Sequence, residues 1–256
     1  MTDRTQTPIS VVVAGASGRM GREVVDAVAG AADLRLAGTA GHGDDLAALL
    51  ARTRPAALVD FTVPEAVLGN IHTALAQQVV PIIGTTGLSL DDIAQVRQWC
   101  LEHQTGAVIA PNFAIGAILM MRFAREAARY LPDAEIIEMH HERKLDAPSG
   151  TAAKTAEMIA EGRADAVPTA LPPTAFEKIA GARGGQGAGG VPIHSVRLPG
   201  FVASQMVIFG GLGQTLALRH DSLDRKSFMP GVLLAVRHAP ALQSGGELIY
   251  GLEHLL

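Results

Sequence analysis

Two histidines and a lysine fall within five residues of the stretch Glu138-Met139-His140-His141-Glu142-Arg143-Lys144-Leu145-Asp146-Ala147-Pro148-Ser149-Gly150-Thr151. Histidine moves protons near neutral pH, and lysine offers a cation for a carboxylate or a second proton. The stretch reads as a strand end, a polar turn over Asp146–Thr151 and the start of a helix. Ser149, Gly150 and Thr151 would bring hydroxyls and free N–H groups to that helix N-terminus, a cradle for an anion. Successive strand residues point to opposite faces, so His140 and His141 share a cavity only where the strand ends. These residues fit a small anionic substrate such as a dicarboxylate. The histidine pair could instead bind a metal, but no third ligand stands at a zinc-like spacing. The charges could also mark a solvated hairpin, and Ser149 a helix N-cap, which leaves contact with substrate open.

A second constellation is Gly15-Ala16-Ser17-Gly18-Arg19-Met20-Gly21, between an apolar run and a helical pattern. Glycine lets the chain bend sharply and brings N–H groups close to a ligand. A helix N-terminus carries about half a positive charge, so a pyrophosphate fits there. The spacing is G-x-x-G-x-x-G, not the commoner G-x-G-x-x-G, but the strand before it and the helix after it are those that the motif requires. A tight turn without ligand is the plainer alternative. Recognition of the NAD ribose calls for an acid at the end of the second strand. The chain there reads Leu36-Ala37-Gly38-Thr39-Ala40-Gly41-His42, with no acid before Asp44 and Asp45. An acid would repel the 2′-phosphate of NADP, so its absence favours NADPH or use of both cofactors, with His42 and Arg19 facing the phosphate.

Around these motifs the first half alternates strands and helices. Strands are expected at Ile9–Ala14, Leu34–Gly38, Ala56–Phe61, Val79–Ile83 and Ala107–Ala110. Helices are expected at Arg19–Gly30, at Asp44–Ala51, from Thr62-Val63-Pro64-Glu65 to about Gln77, and from Ser89 to about His103. The third and fourth of these open on a capping-box spacing at Thr62 and a capping serine at Ser89. Such alternation reads as βαβ units of a doubly wound parallel sheet. After Pro111 the pattern changes: a helix at Phe113–Tyr130, a strand at Ala134–Met139, a helix at Thr151–Glu161, then alternating apolar runs from Val191 to His220. Ser227–His238 returns to helical spacing and Glu247–Leu252 to a strand. The fold class is α/β: an N-terminal Rossmann-type parallel sheet domain plus a smaller α+β C-terminal domain with an open mixed sheet. Residues 1–112 and 222–256 would form the dinucleotide-binding domain, and 113–221 the substrate-binding and oligomerisation domain. Ala180–Gly190 reads as a solvent loop, or as a mobile flap over a site.

Composition narrows the partners. Of 256 residues, 48% are hydrophobic and 18% charged, enough apolar mass for a sizeable core. Lys and Arg number 21 against 25 Asp and Glu, with no basic run, which speaks against non-specific nucleic-acid binding. The single cysteine, Cys100, excludes an internal disulfide and reads as a small core residue. The polar N-terminus lacks the apolar block of a signal peptide, and His103–Met121, broken by Pro111 and Asn112, is no membrane span. A cytoplasmic protein is expected.

The motifs GASGRMG, VDFTVPE (Val59–Glu65), GTTG (Gly84–Gly87), APNFAIG (Ala110–Gly116) and above all EMHHERKLDAPSGTA (Glu138–Ala152) resemble those of the 4-hydroxy-tetrahydrodipicolinate reductase family. The resemblance implies an NAD(P)H-dependent reduction in lysine and diaminopimelate synthesis, by a homotetramer assembled through its C-terminal sheets. It implies a cofactor lying along Gly15, Ala16, Ser17, Gly18, Arg19 and Met20, then Phe61, Gly84, Thr85 and Thr86, then Ala110, Pro111, Asn112 and Phe113. His140 matches the family's general acid/base and Lys144 its proton donor. His141, Lys144, Ser149, Gly150 and Thr151 match contacts to the substrate carboxylates, with Thr86 near both ligands. No metal is implied. The chain departs from the family at Gly41 and His42, where an acid and often a basic residue stand. It departs again at Ser204 and Met206, where many members carry a histidine and an acid.

Two other readings compete. Another Rossmann-type dehydrogenase of amino-acid metabolism is one, but a semialdehyde dehydrogenase needs a nucleophilic cysteine and Cys100 lies in a helical pattern. A nucleotide sensor without turnover is the other, and it has no need of His140 or Lys144.

Overall fold

The computed structural model describes residues 7–164, 166–170 and 175–256. The chain divides into two compact units, one running through Phe113 and resuming at Phe228–Leu256, the other Ala114–Ser227.

The first unit is a parallel sheet of β1 (Ile9–Ala14), β2 (Leu34–Ala40), β3 (Ala57–Asp60), β4 (Val80–Ile83), β5 (Ala107–Ile109) and a late strand, β11 (Leu248–Tyr250), in the order β11-β5-β4-β3-β1-β2. β3 and β4 are buried along their whole length, as strands covered on both faces are, and are apolar but for Asp60 at the end of β3. The covering helices are α1 (Arg19–Gly30), α2 (Leu46–Thr53), α3 (Pro64–Ala76), α4 (Leu90–His103) and α7 (Met229–Leu242). Because the sheet grows in opposite directions from β1, right-handed crossovers put α1 on one face and α2, α3 and α4 on the other. α7 packs beside α1.

Local signals explain most helix starts. Asp45 caps α2 by accepting from the Ala48 amide at 2.9 Å, and Ser89 forms a reciprocal capping box with Asp92. At α3 the expected box does not form. Val63 is the N-cap with no side-chain bond, and the Thr62 hydroxyl turns to Asp60 instead, at 2.7 Å. β2 outruns its expected end because pairing with β1 continues past a bulge to Ala14 and Ala40. Cys100 is buried in the α3–α4 core, where burial pushes its thiol up to about 11. Such a thiol is no nucleophile, which removes the cysteine-dependent dehydrogenase.

In the second unit, α5 (Ile115–Ala127) and α6 (Gly150–Arg163) pack together and against a mixed sheet. That sheet has the order β10-β9-β6-β8-β7, with β6 (Asp133–His140) at its centre. β6 runs parallel to β8 (Pro192–Arg197) and antiparallel to β9 (Ala203–Gly211), which pairs with β10 (Gln214–Ser222). The glycine-rich stretch is not a free loop. Gly185–Gln186 forms β7 on the edge of β8, followed by a 3-10 turn at Ala188–Gly190. Its small residues permit close packing on α6: a Cβ on Gly189 would stand 2.6 Å from Ala160 Cβ, and Arg163 Nη1 donates to the Gly189 carbonyl at 2.6 Å.

α5 and α6 approach closely near the end of α6, at Gly162. A Cβ on Gly162 would lie 2.1 Å from the Arg125 carbonyl oxygen. Gly162→Ala therefore forces the helices apart and is expected to cost about 1–3 kcal/mol, read as a lower denaturation midpoint with an unchanged slope.

Candidate active site

In the first unit the strand ends carry the candidate nucleotide residues. Gly15 follows β1 in the left-handed region, at φ 76°, and its backbone passes so close to Phe61 that a Cβ would meet the Phe61 carbonyl at 2.4 Å. A Cβ on Gly21 would stand 2.1 Å from the Gly15 carbonyl oxygen, so α1 can close on the turn only with glycine there. No side chain caps α1, and its first turn holds no acid. The N-terminal dipole is left uncompensated beside a cradle that only glycine permits, which fits a pyrophosphate. The Phe61 ring occupies the space beside Gly84 and lies 5.9 Å from the Phe113 ring. Thr85, Thr86, Ala110 and Pro111 line a cavity of about 100 Å³ together with Tyr250.

Asp60, at the end of β3, was not among the expected residues and holds this region together. Its carboxylate is fully buried. It accepts from the Thr62 amide at 2.9 Å, the Thr62 hydroxyl at 2.7 Å, Asn70 Nδ2 at 2.8 Å and the Thr85 hydroxyl at 2.8 Å. The Thr85 hydroxyl thus serves the protein, while Thr86 is exposed. Arg19 and His42 are also exposed. The turn after β2 is not without an acid: Asp44 Oδ2 accepts from the Gly41 amide at 2.7 Å.

In the second unit the hub is Glu138, on the helix side of β6 and fully buried. Two residues on, His140 projects from the same face, and its Nδ1 lies 2.5 Å from Glu138 Oε2. Arg197, at the end of the neighbouring β8, grips both carboxylate oxygens, Nη1 to Oε2 at 2.9 Å and Nη2 to Oε1 at 2.7 Å. The Ser149 amide donates to Oε1 at 3.3 Å. Burial pushes this carboxyl up, but bonds from His140, Arg197 and Ser195 outweigh it and hold it down to about 2. An ionised carboxylate can only accept, so Nδ1 is the donor of this bond and Nε2 takes no part in it.

The turn beyond β6 is pinned at several points. Arg197 Nη2 also donates to the Asp146 carbonyl at 2.7 Å, and the Lys144 amide to the His141 carbonyl at 3.1 Å. Lys144 Nζ is held by the Asp146 carboxylate at 2.7 and 2.8 Å, and that bond keeps Asp146 below the usual carboxylate range. His141 Nδ1 is buried without a partner among the described residues. Ser149 caps α6, its Oγ accepting from the Ala152 amide at 3.2 Å, which leaves the hydroxyl proton to be donated. The first turn of α6, with Gly150 and Thr151, holds no acid. Among the described residues no group of three or more His, Cys, Asp or Glu is placed to hold a metal. No helix among them is long and apolar enough to cross a membrane.

A parallel sheet with a glycine cradle at its first turn, joined in one chain to a mixed-sheet unit bearing a carboxylate-held histidine, defines a two-unit oxidoreductase of dinucleotide type. Comparison narrows this. The family profile for "Dihydrodipicolinate reductase, N-terminus" matches residues 9–113, and that for "Dihydrodipicolinate reductase, C-terminus" matches residues 116–256. The 4-hydroxy-tetrahydrodipicolinate reductase of Desulfitobacterium hafniense is 51% identical over 97% of this chain and 98% of its own length. That of Coxiella burnetii is 45% identical over 97% of this chain and 99% of its own. A solved structure described as dipicolinate-bound dihydrodipicolinate reductase from Paenisporosarcina sp. TG-14 superposes with a TM-score of 0.86 at 41% identity, covering 98% of this chain and 100% of that one. D-galactose-1-dehydrogenase from Rhizobium etli shares only the fold, at TM-score 0.59 and 13% identity. The chain belongs to the dihydrodipicolinate reductase family and is an oxidoreductase; the family's enzymes use NAD(P)H.

Glu138 gives the site a characteristic response to acid. Folded, it stays ionised until pH falls to about 2, whereas unfolded it takes a proton near 4.5. Its pairing stabilises the fold fully above pH 4.5, and that contribution is lost as pH falls toward 2. Glu138→Gln leaves Arg197 without its partner and is expected to cost about 3–5 kcal/mol at neutral pH. Denaturant titrations of both proteins should show the gap narrowing over the same acid range.

Proposed function

We propose that this chain reduces 4-hydroxy-tetrahydrodipicolinate to tetrahydrodipicolinate with NAD(P)H, in lysine and diaminopimelate synthesis. The observation that carries the proposal is His140, held through Nδ1 by the Glu138–Arg197 pair at the mouth of the α6 N-terminus. Bound NAD(P)H supplies the hydride, which goes to ring C4. One proton enters, the hydroxyl leaves as water, and atoms and charge balance with release of the oxidised cofactor.

His140 Nε2 acts as the general acid/base. Lys144 leaves Asp146 to meet a substrate carboxylate and stands as the second proton donor. His141, Ser149, Gly150 and Thr151 take the carboxylates, using the unpartnered ring nitrogen, the serine hydroxyl and the helix N-terminus. Thr86 serves both ligands. Gly15, Ala16, Ser17, Gly18, Arg19 and Met20 cradle the pyrophosphate. Phe61, Gly84, Thr85 and Ala110–Phe113 frame the rest of the cofactor, with Thr85 acting through Asp60. Residues through Phe113 with the C-terminal segment thus form the dinucleotide-binding domain, and the other unit the substrate-binding one. The protein works in the cytoplasm as a homotetramer, assembled through the sheet face that carries Ile137, Met139, Met206 and Ile208, which stay only half-buried.

The test is nicotinamide absorbance with the substrate made in the cuvette from pyruvate and aspartate semialdehyde by the synthase. Cofactor oxidation dependent on the semialdehyde is expected, and none, beside an active reductase as control, would sink the proposal. His140→Gln is expected to lower kcat by about 10²–10⁴ with little change in KM. Lys144→Ala should raise KM and lower kcat together, because charge and proton donor go at once; an unchanged KM would remove Lys144 from carboxylate binding.

A further inference from the structure

The acid that β2 lacks is brought in from the next turn. The Ala40 carbonyl accepts the Gly15 amide at 2.9 Å and the Ala16 amide at 3.4 Å, so the end of β2 is tied to the glycine cradle. Gly41 follows with no side chain. Its amide donates to Asp44 Oδ2 at 2.7 Å, while its carbonyl accepts the Asp44 amide at 3.3 Å. A Cβ built on Gly41 would lie 3.6 Å from that same Asp44 oxygen and 4.0 Å from Ser17 Oγ in the cradle. The Asp44 carboxylate therefore stands in contact with the position that the first carbon of a side chain at Gly41 would occupy. Asp45 cannot take this place, because its own carboxylate caps α2 at the Ala48 amide.

We propose that Asp44 is the acid that recognises the adenosine ribose, and that the chain binds NADH in preference to NADPH. The inference rests on the dinucleotide site proposed above and reverses the preference that Gly41 suggests in the sequence. One carboxylate oxygen is taken by the Gly41 amide, and the other accepts a ribose hydroxyl. The fixed negative charge repels a 2′-phosphate. Arg19 and His42 oppose this, but both are exposed and must give up side-chain freedom to clamp a phosphate, whereas Asp44 is already held.

The test is isothermal titration of the full chain with NADH and with NADPH, without substrate, for wild type, Asp44→Asn and Asp44→Ala. Asparagine keeps an oxygen for the Gly41 amide and loses the charge; alanine loses both. Wild type is expected to bind NADH the more tightly. In Asp44→Asn the NADH affinity should fall roughly tenfold, the lower range for a bond to a charged acceptor, while NADPH binds more tightly. Asp44→Ala should move the ratio the same way. Tighter NADPH than NADH in wild type overturns the proposal. So does an Asp44→Asn protein with both affinities unchanged, since Asp44 then only shapes the turn. Binding of neither cofactor to a folded wild type overturns the dinucleotide site itself, a result distinct from either.

Discussion

A carboxylate sealed from water must find on the protein every donor that water would have supplied. Glu138 does so with Arg197 across both oxygens, His140 on one and the Ser149 amide on the other. These partners come from the strand end, the neighbouring strand and the start of α6. One ionised group thus fixes the ring of the histidine, the end of β8 and the N-terminus of α6. Arg197 extends the same arrangement to the Asp146 carbonyl and so to the turn that carries Lys144. Remove the charge and each of these loses a common reference point.

Asp60 does comparable work in the other unit with neutral donors only. Its bonds to Thr62, Asn70 and Thr85 draw the loops after β3 and β4 and the body of α3 to one point. The contrast is chemical. Glu138 is paired with the Arg197 cation, and that pairing holds it ionised despite burial. Asp60 is met by neutral donors alone: a backbone amide, two hydroxyls and the Asn70 side-chain amide.

What could be read in the sequence was what local residues decide. β1 and α1 fall where the apolar run, the glycines and the helical spacing put them, and Ser89 caps α4 through its own neighbours. The run from Glu138 to Thr151 was legible as a strand end feeding a helix. Partners chosen by tertiary pairing were not. Arg197 lies 59 residues from Glu138 and is brought to it only by the parallel pairing of β6 with β8. Glu138 itself left a signal, since a residue two before His140 on a strand must share its face. Thr62 carried a helix-cap spacing, but a buried carboxylate nearby was the stronger acceptor. The glycines of 180–190 suggested looseness, whereas in the fold their lack of side chains serves contact with α6 and β8.

The first sheet is finished by residues that lie beyond the second unit in the chain. α7 buries Val232, Ala235, Val236 and Ala239, and β11 pairs with β5. During synthesis β5 therefore leaves the ribosome with one edge unpaired, and the ground of α7 stays bare, until more than a hundred further residues have been added. The second unit, contiguous in sequence, meets no such delay. The order of translation thus favours a nascent chain whose later unit settles first, with its earlier sheet open to chaperones in the interval.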